Sequence, residues 1–106
     1  MELRSLIETL DIGPVPERAL GVRISDLTDD SRTVLPGSLF VARSGVRDDG
    51  RKYIEQAVRD GAVAVLTDEE GAKLVDEKHA LVLIASDVAL AAAQMADRFN
   101  GNPTEK

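Results

Sequence analysis

Apolar residues open the chain at helical spacing, at Leu3, Leu6, Ile7 and Leu10, and Gly13-Pro14 stops the pattern. That spacing predicts a short amphipathic helix followed by a loop through Pro16. Val22, Ile24 and Leu27 then alternate with polar residues, as in a strand with one buried face, and Asp29-Asp30-Ser31-Arg32 ends it. Leu35-Pro36-Gly37 reads as a turn, Leu39 to Ala42 as a short and more central strand, and Gly45 to Gly50 as a charged loop. Tyr53, Ile54, Ala57 and Val58 share one helical face, which predicts a helix from about Arg51 to Asp60, with Gly61 as its left-handed cap.

Ala62 to Leu66 is a continuous apolar run, the pattern of a strand covered on both faces of a parallel sheet, and Leu81 to Ile84 predicts a second buried strand of the same kind. Between them Glu69 to Asp76 can form a short helix. Ser86 or Asp87 is placed to cap a last, alanine-rich helix from Val88 to about Asn100, which Gly101-Asn102-Pro103 terminates. The alternation of strands and helices predicts an α/β fold, a small, mostly parallel sheet flanked by helices with right-handed crossovers.

Composition narrows the functional classes. With 106 residues the chain forms one domain, too small to carry a separate catalytic domain with its own cleft. Hydrophobic residues make up 43% and charged residues 30%, so a folded chain is expected. Aromatics are only 3%, which leaves no stacking platform for single-stranded nucleic acid. The net charge of -6 removes the attraction that drives binding to nucleic acid or to anionic membranes, so neither is expected as a partner. There is no cysteine and one histidine, which disfavours a zinc site and suits a reducing cytoplasm. No stretch approaches the roughly 20 apolar residues of a membrane span.

The chemistry-bearing residues gather around the strand at Leu39 to Ala42. Asp26, Asp29 and Asp30 are candidate metal carboxylates or acid–base groups, although acidic residues at strand ends are usually solvated turn formers. Ser31 lacks a histidine nearby in sequence to activate it, so hydrogen bonding to a ligand is the better expectation for its hydroxyl. The loop Gly45-Val46-Arg47-Asp48-Asp49-Gly50 leads into a helix whose first amides can face an anion, yet it lacks the Lys-Ser/Thr of a P-loop. Arg32, Arg43, Arg47 and Arg51 form a basic group in this acidic chain, suited to a diphosphate or simply solvated. His79 reads as an exposed loop residue.

These segments fall in a familiar order. Asp30-Ser31-Arg32, Pro36-Gly37-Ser38-Leu39-Phe40-Val41-Ala42, Gly45, Asp49-Gly50 and Gly61-Ala62 resemble, in sequence and spacing, the N-terminal domain of the Mur ligases of peptidoglycan synthesis. Within that family the DGRKYIEQA segment and the closing RFNGNP are most similar to the tripeptide synthetases (MurE), with MurF-type ligases as the close rival. A stand-alone binding module of the same fold and a different small-molecule enzyme are the remaining alternatives. Two positions differ from common versions: Asp29 stands where an apolar residue often precedes the DSR aspartate, and Arg51 replaces a frequent histidine.

The resemblance implies that residues 1–101 form a domain binding UDP-N-acetylmuramoyl-L-alanyl-D-glutamate by its UDP end, with 102–106 starting a linker to an ATP-binding domain. By the same resemblance Asp29, Ser31, Arg32, Val46, Arg47, Asp48, Asp49 and Gly50 contact or shape the substrate site. ATP and magnesium would serve the whole ligase, which joins diaminopimelate or lysine to the glutamate with help from central and C-terminal domains. The family's TGTNGKT loop has no counterpart here, so the chain alone is expected to need no cofactor and to catalyse nothing.

Overall fold

Short apolar strands separated by helical crossovers pair in parallel with their sequence neighbours, and the sheet forms in that order. The structure is a computed structural model, and it describes residues 2–7, 15, 17–43, 50–75 and 80–99. Four strands, β1 (Asp26–Thr28), β2 (Ser38–Val41), β3 (Ala64–Thr67) and β4 (Leu81–Ile84), lie side by side as β1-β2-β3-β4 with every pairing parallel. The helices are α1 (Leu3–Ile7), α2 (Ile54–Arg59), α3 (Glu69–Ala72) and α4 (Val88–Phe99). Single turns of 3-10 helix occur at Glu17–Gly21, Ser31–Thr33 and Gly50–Tyr53.

The register sorts side chains into two layers. Leu27, Leu39, Ala64 and Leu81 form one row across the four strands, and Thr28, Phe40, Val65 and Val82 form the next, facing the other way. The first face packs against Leu3 and Leu6 of α1, Ile24, and Val88, Ala91 and Met95 of α4. The second packs Phe40 and Val65 against Ile54 and Ala57 of α2 with Val34. Full burial of Phe40 contributes about 1.5–3 kcal/mol. Arg98 fastens the first layer by donating to the Ser5 and Leu6 carbonyls at the end of α1, at 3.3 and 3.2 Å.

The amino ends of the strands are joined by two turns that interlock. Leu35 to Ser38 is a type II turn, with Pro36 second, Gly37 third at φ 91°, and the Ser38 N–H donating to the Leu35 carbonyl at 3.0 Å. The buried Ser38 hydroxyl accepts the Leu35 N–H at 3.0 Å. After α2 the Gly61 and Ala62 N–H groups return to the Val58 and Ala57 carbonyls, the Schellman arrangement the Gly61 cap predicts. Gly61, at φ 118°, lies so close to the turn that a Cβ would sit 2.8 Å from the Pro36 Cα, and its carbonyl accepts the Gly37 N–H at 3.0 Å.

Several expectations shift by a few residues. The strand through Val22 and Ile24 shortens to Asp26–Thr28, because Arg23 pairs instead with Glu2 in an isolated antiparallel bridge. The helix expected from Arg51 begins as a 3-10 turn and becomes α-helical at Ile54, where no side chain caps it. Asp68 caps α3 by accepting the Gly71 N–H at 2.8 Å, and Asp87 accepts the Leu90 N–H at the start of α4. β3 is buried throughout, but β4 is a correction: as the edge strand it leaves Leu81, Val82 and Ile84 half-buried. Leu10, Asp76, His79 and residues 100–106 lie outside the described residues.

Replacing Gly61 by Ala should lower the unfolding free energy by about 1–3 kcal/mol, because both the backbone conformation and the Pro36 contact oppose a Cβ. Gly21→Ala, which meets nothing within 4 Å, is the control expected to stay within about 0.5 kcal/mol in the same chemical denaturation series.

Candidate functional site

In a parallel sheet, ligands bind beyond the carboxyl ends of the strands, where the connecting loops diverge. Here that edge carries the segments that follow Thr28, Val41, Thr67 and Ile84. The β1 exit turns sharply on a set of local bonds. The Thr28 hydroxyl accepts the Asp30 N–H at 3.1 Å and sits 2.6 Å from the Thr33 hydroxyl, while the Asp30 carbonyl accepts both the N–H and the hydroxyl of Thr33 at 3.0 Å.

Asp30 is the hub of this turn. One carboxylate oxygen accepts the Arg32 backbone N–H at 2.9 Å and its Nε at 3.0 Å, and the other accepts a terminal guanidinium nitrogen at 3.0 Å. The side-chain hydrogen bond to Arg32, reinforced by the Arg32 backbone N–H, holds the Asp30 carboxyl below its ordinary pKa, and the same pairing raises that of Arg32. The carboxylate of DSR is therefore committed to the cap and the guanidinium fork, which leaves it unsuited as an acid or base. Arg32, whose side chain is 85% exposed, is held with its guanidinium against Asp30.

Ser31 differs from its neighbours. It is only 8% exposed, and its hydroxyl makes no hydrogen bond among the described residues. Since no buried side-chain oxygen or nitrogen among the described residues lacks a partner, that hydroxyl is the part of Ser31 that reaches solvent, a donor and acceptor on an otherwise buried residue. Asp29 points elsewhere, accepting one guanidinium nitrogen of Arg43 at 3.3 Å across the exits of β1 and β2. These two side chains rim a groove of about 360 Å³ between the sheet and α4, whose apolar lining includes Leu27, Val41, Ala92 and Ala96. Asp29 and Arg43 thus come together at the groove, whereas Ser31 sits outside its lining, on a turn that contacts α2.

At the root of the next loop, the fully buried Thr67 hydroxyl donates to the Ala42 carbonyl at 3.0 Å, and the Ala42 N–H donates to the Leu66 carbonyl at 2.8 Å. Gly71 lies directly over Thr67, where any Cβ would collide with the hydroxyl. Val46, Arg47, Asp48 and Asp49 lie outside the described residues, and Gly50 begins the 3-10 turn ahead of α2. Of the four arginines expected to form a basic group, Arg32 and Arg43 each hold a different aspartate. No group of three or more His, Asp or Glu among the described residues could hold a metal ion. None of the helices among them is long and apolar enough to cross a membrane.

Sequence reasoning missed Thr28, Thr33 and Thr67, and singled out Arg43 only as a member of the basic group. The matching threonines five residues apart around DDSR were the available signal, since both hydroxyls are in reach of one turn. Thr67 gave none beyond being a polar residue at the end of an apolar run.

Comparison with known proteins decides the family. The family described as "Mur ligase family, catalytic domain" matches residues 23–100. This chain belongs to the Mur ligase family. It is 38% identical over 106 residues to a UDP-N-acetylmuramoyl-L-alanyl-D-glutamate--2,6-diaminopimelate ligase of Parabacteroides distasonis, covering 100% of this chain and 21% of the relative. A protein of the same name from Pseudomonas aeruginosa is 41% identical over 91 residues, 86% of this chain and 18% of that one. The crystal structure of the MurF ligase of Thermotoga maritima in complex with ADP superimposes with a TM-score of 0.59 at 28% identity, over 76% of this chain and 17% of that one. The chain thus spans about a fifth of the length of these Mur ligases and corresponds to their N-terminal domain.

The Asp30–Arg32 pair sets a pH dependence. A carboxyl whose pKa is depressed in the folded state stabilises the fold above its unfolded value of about 3.9, and that contribution disappears as pH falls through the folded value. Asp30→Asn keeps a capping oxygen but not the charge, so its stability should fall less steeply with acidification than that of the unaltered chain. Thermal unfolding followed across the acid range measures the difference, and equal slopes would remove the pair as a contributor.

Proposed function

We propose that this chain is the substrate-clamping domain of a MurE-type ligase, holding UDP-N-acetylmuramoyl-L-alanyl-D-glutamate by its UDP end while other domains carry out ATP-dependent amide-bond formation. The observation that carries this reading is Ser31, a residue only 8% exposed whose hydroxyl, without a partner among the described residues, opens to solvent from a self-bonded turn at the carboxyl edge of a parallel sheet. Asp29, Ser31 and Arg32 contribute from the β1 exit, and Val46, Arg47, Asp48, Asp49 and Gly50 from the loop after β2. The relatives' names favour a diaminopimelate-adding ligase over a MurF-type one.

Residues 1–101 form the clamp in this reading, and 102–106 lead toward the central ATP-binding domain. In this reading ATP and magnesium serve that domain rather than the clamp. The substrate supplies its nucleotide, sugar and peptide together, so a clamp on the nucleotide leaves the glutamate carboxylate projecting toward the catalytic domains. The setting is the cytoplasm.

Titration with UDP-N-acetylmuramoyl dipeptide, followed by amide chemical shifts, tests this reading. Perturbations should centre on Asp29 to Arg32, and Ser31→Ala should weaken binding about 3- to 10-fold, the effect of losing one hydrogen bond. Unchanged affinity in Ser31→Ala, with shifts distributed elsewhere, would remove Ser31 from the site.

A further inference from the structure

Arg32 and Arg43 both lie at the carboxyl edge, and their surroundings differ. Arg32 is locked to Asp30 by three hydrogen bonds, one from the backbone and two from the guanidinium. Arg43 makes a single 3.3 Å contact to Asp29, with the two side chains 51% and 61% exposed. A half-exposed pair of that geometry contributes little to stability and exchanges partners at little cost. Most of the guanidinium's roughly five N–H donors are directed at no described carboxylate, and the guanidinium fork matches phosphate oxygens.

The groove beside Arg43 has an apolar wall, formed by Leu27, Val41 and Ala92, and a charged rim formed by Asp29 and Arg43. That combination suits a ligand with a flat, weakly polar part and an anionic part. The chain carries a net charge of -6, so its overall field opposes any anion, and binding one needs a local cation that can turn toward it. Building on the nucleotide-clamp reading above, we propose that Arg43 reads the diphosphate of the ligand, releasing Asp29 as it does so. Asp29 then acts as the competing counter-ion of the empty site and tunes how tightly an anionic ligand is held.

Calorimetric titration of the full chain with UDP and with uridine, at low ionic strength, tests the assignment. Arg43→Ala should weaken UDP binding about 10-fold or more, the loss of a charge-assisted contact, and leave uridine binding within about twofold. Arg43→Lys should retain part of the UDP affinity, because it keeps the charge without the fork. Asp29→Asn should tighten UDP binding several-fold, and that gain should vanish when Arg43 is also Ala. Equal weakening of UDP and uridine by Arg43→Ala would show a merely structural residue and overturn the proposal, as would unchanged UDP binding; the nucleotide-clamp reading survives either result. If the unaltered chain binds neither UDP nor uridine, the clamp reading fails and this assignment with it.

Discussion

The order β1-β2-β3-β4, with every strand parallel, constrains everything else in this fold. A crossover between adjacent parallel strands is almost always right-handed, and four strands laid down in one direction then send all three crossovers to the same face. The 3-10 turn Ser31–Thr33, α2 and α3 accordingly cover one side. The other side would face water if nothing else reached it. The chain covers it with the segments outside the crossovers, α1 ahead of the sheet and α4 behind it, and Arg98 ties these two together.

This division of labour also separates the ends of the sheet. At the amino edge, Gly37 and Gly61 let two turns approach until backbone touches backbone, which fixes the spacing of β2 and β3. At the carboxyl edge the chain relies on side-chain hydroxyls and carboxylates, with Thr28, Asp30 and Thr33 shaping one exit and Thr67 holding another. Apart from the Ser31 hydroxyl, the side chains of this turn are partnered locally, and the exposed pair of Asp29 and Arg43 bridges the two exits.

Much of this was legible in the sequence. The Pro36-Gly37 turn, the Gly61 cap and the apolar run of β3 rest on local backbone chemistry, and each appears where pattern alone puts it. The edge position of β4 was not legible, because Leu81 to Ile84 is as apolar as a central strand and only pairing partners distinguish the two. The chain ahead of α2 forms a 3-10 turn from Gly50 to Tyr53, which the helical spacing of apolar residues does not distinguish from an α-helix, and the bridge between Glu2 and Arg23 depends on a contact distant in sequence. At the site, the DSR segment was recognisable, but the sequence could not show that its aspartate and arginine bind each other. Nor could it show that Arg43, fourteen residues from Asp29, would meet it across two strands.

The turn from Thr28 to Thr33 is bonded almost entirely to itself, by hydroxyl, carboxylate and guanidinium groups within six residues of one another. Such a turn borrows little from the core beneath it. Substitutions around Met95, on the opposite face of the sheet, therefore leave these bonds untouched, whereas those around Phe40 reach Ser31 through α2, which the turn contacts. The layer against α4 can be rewritten while the shape presented at this rim is kept.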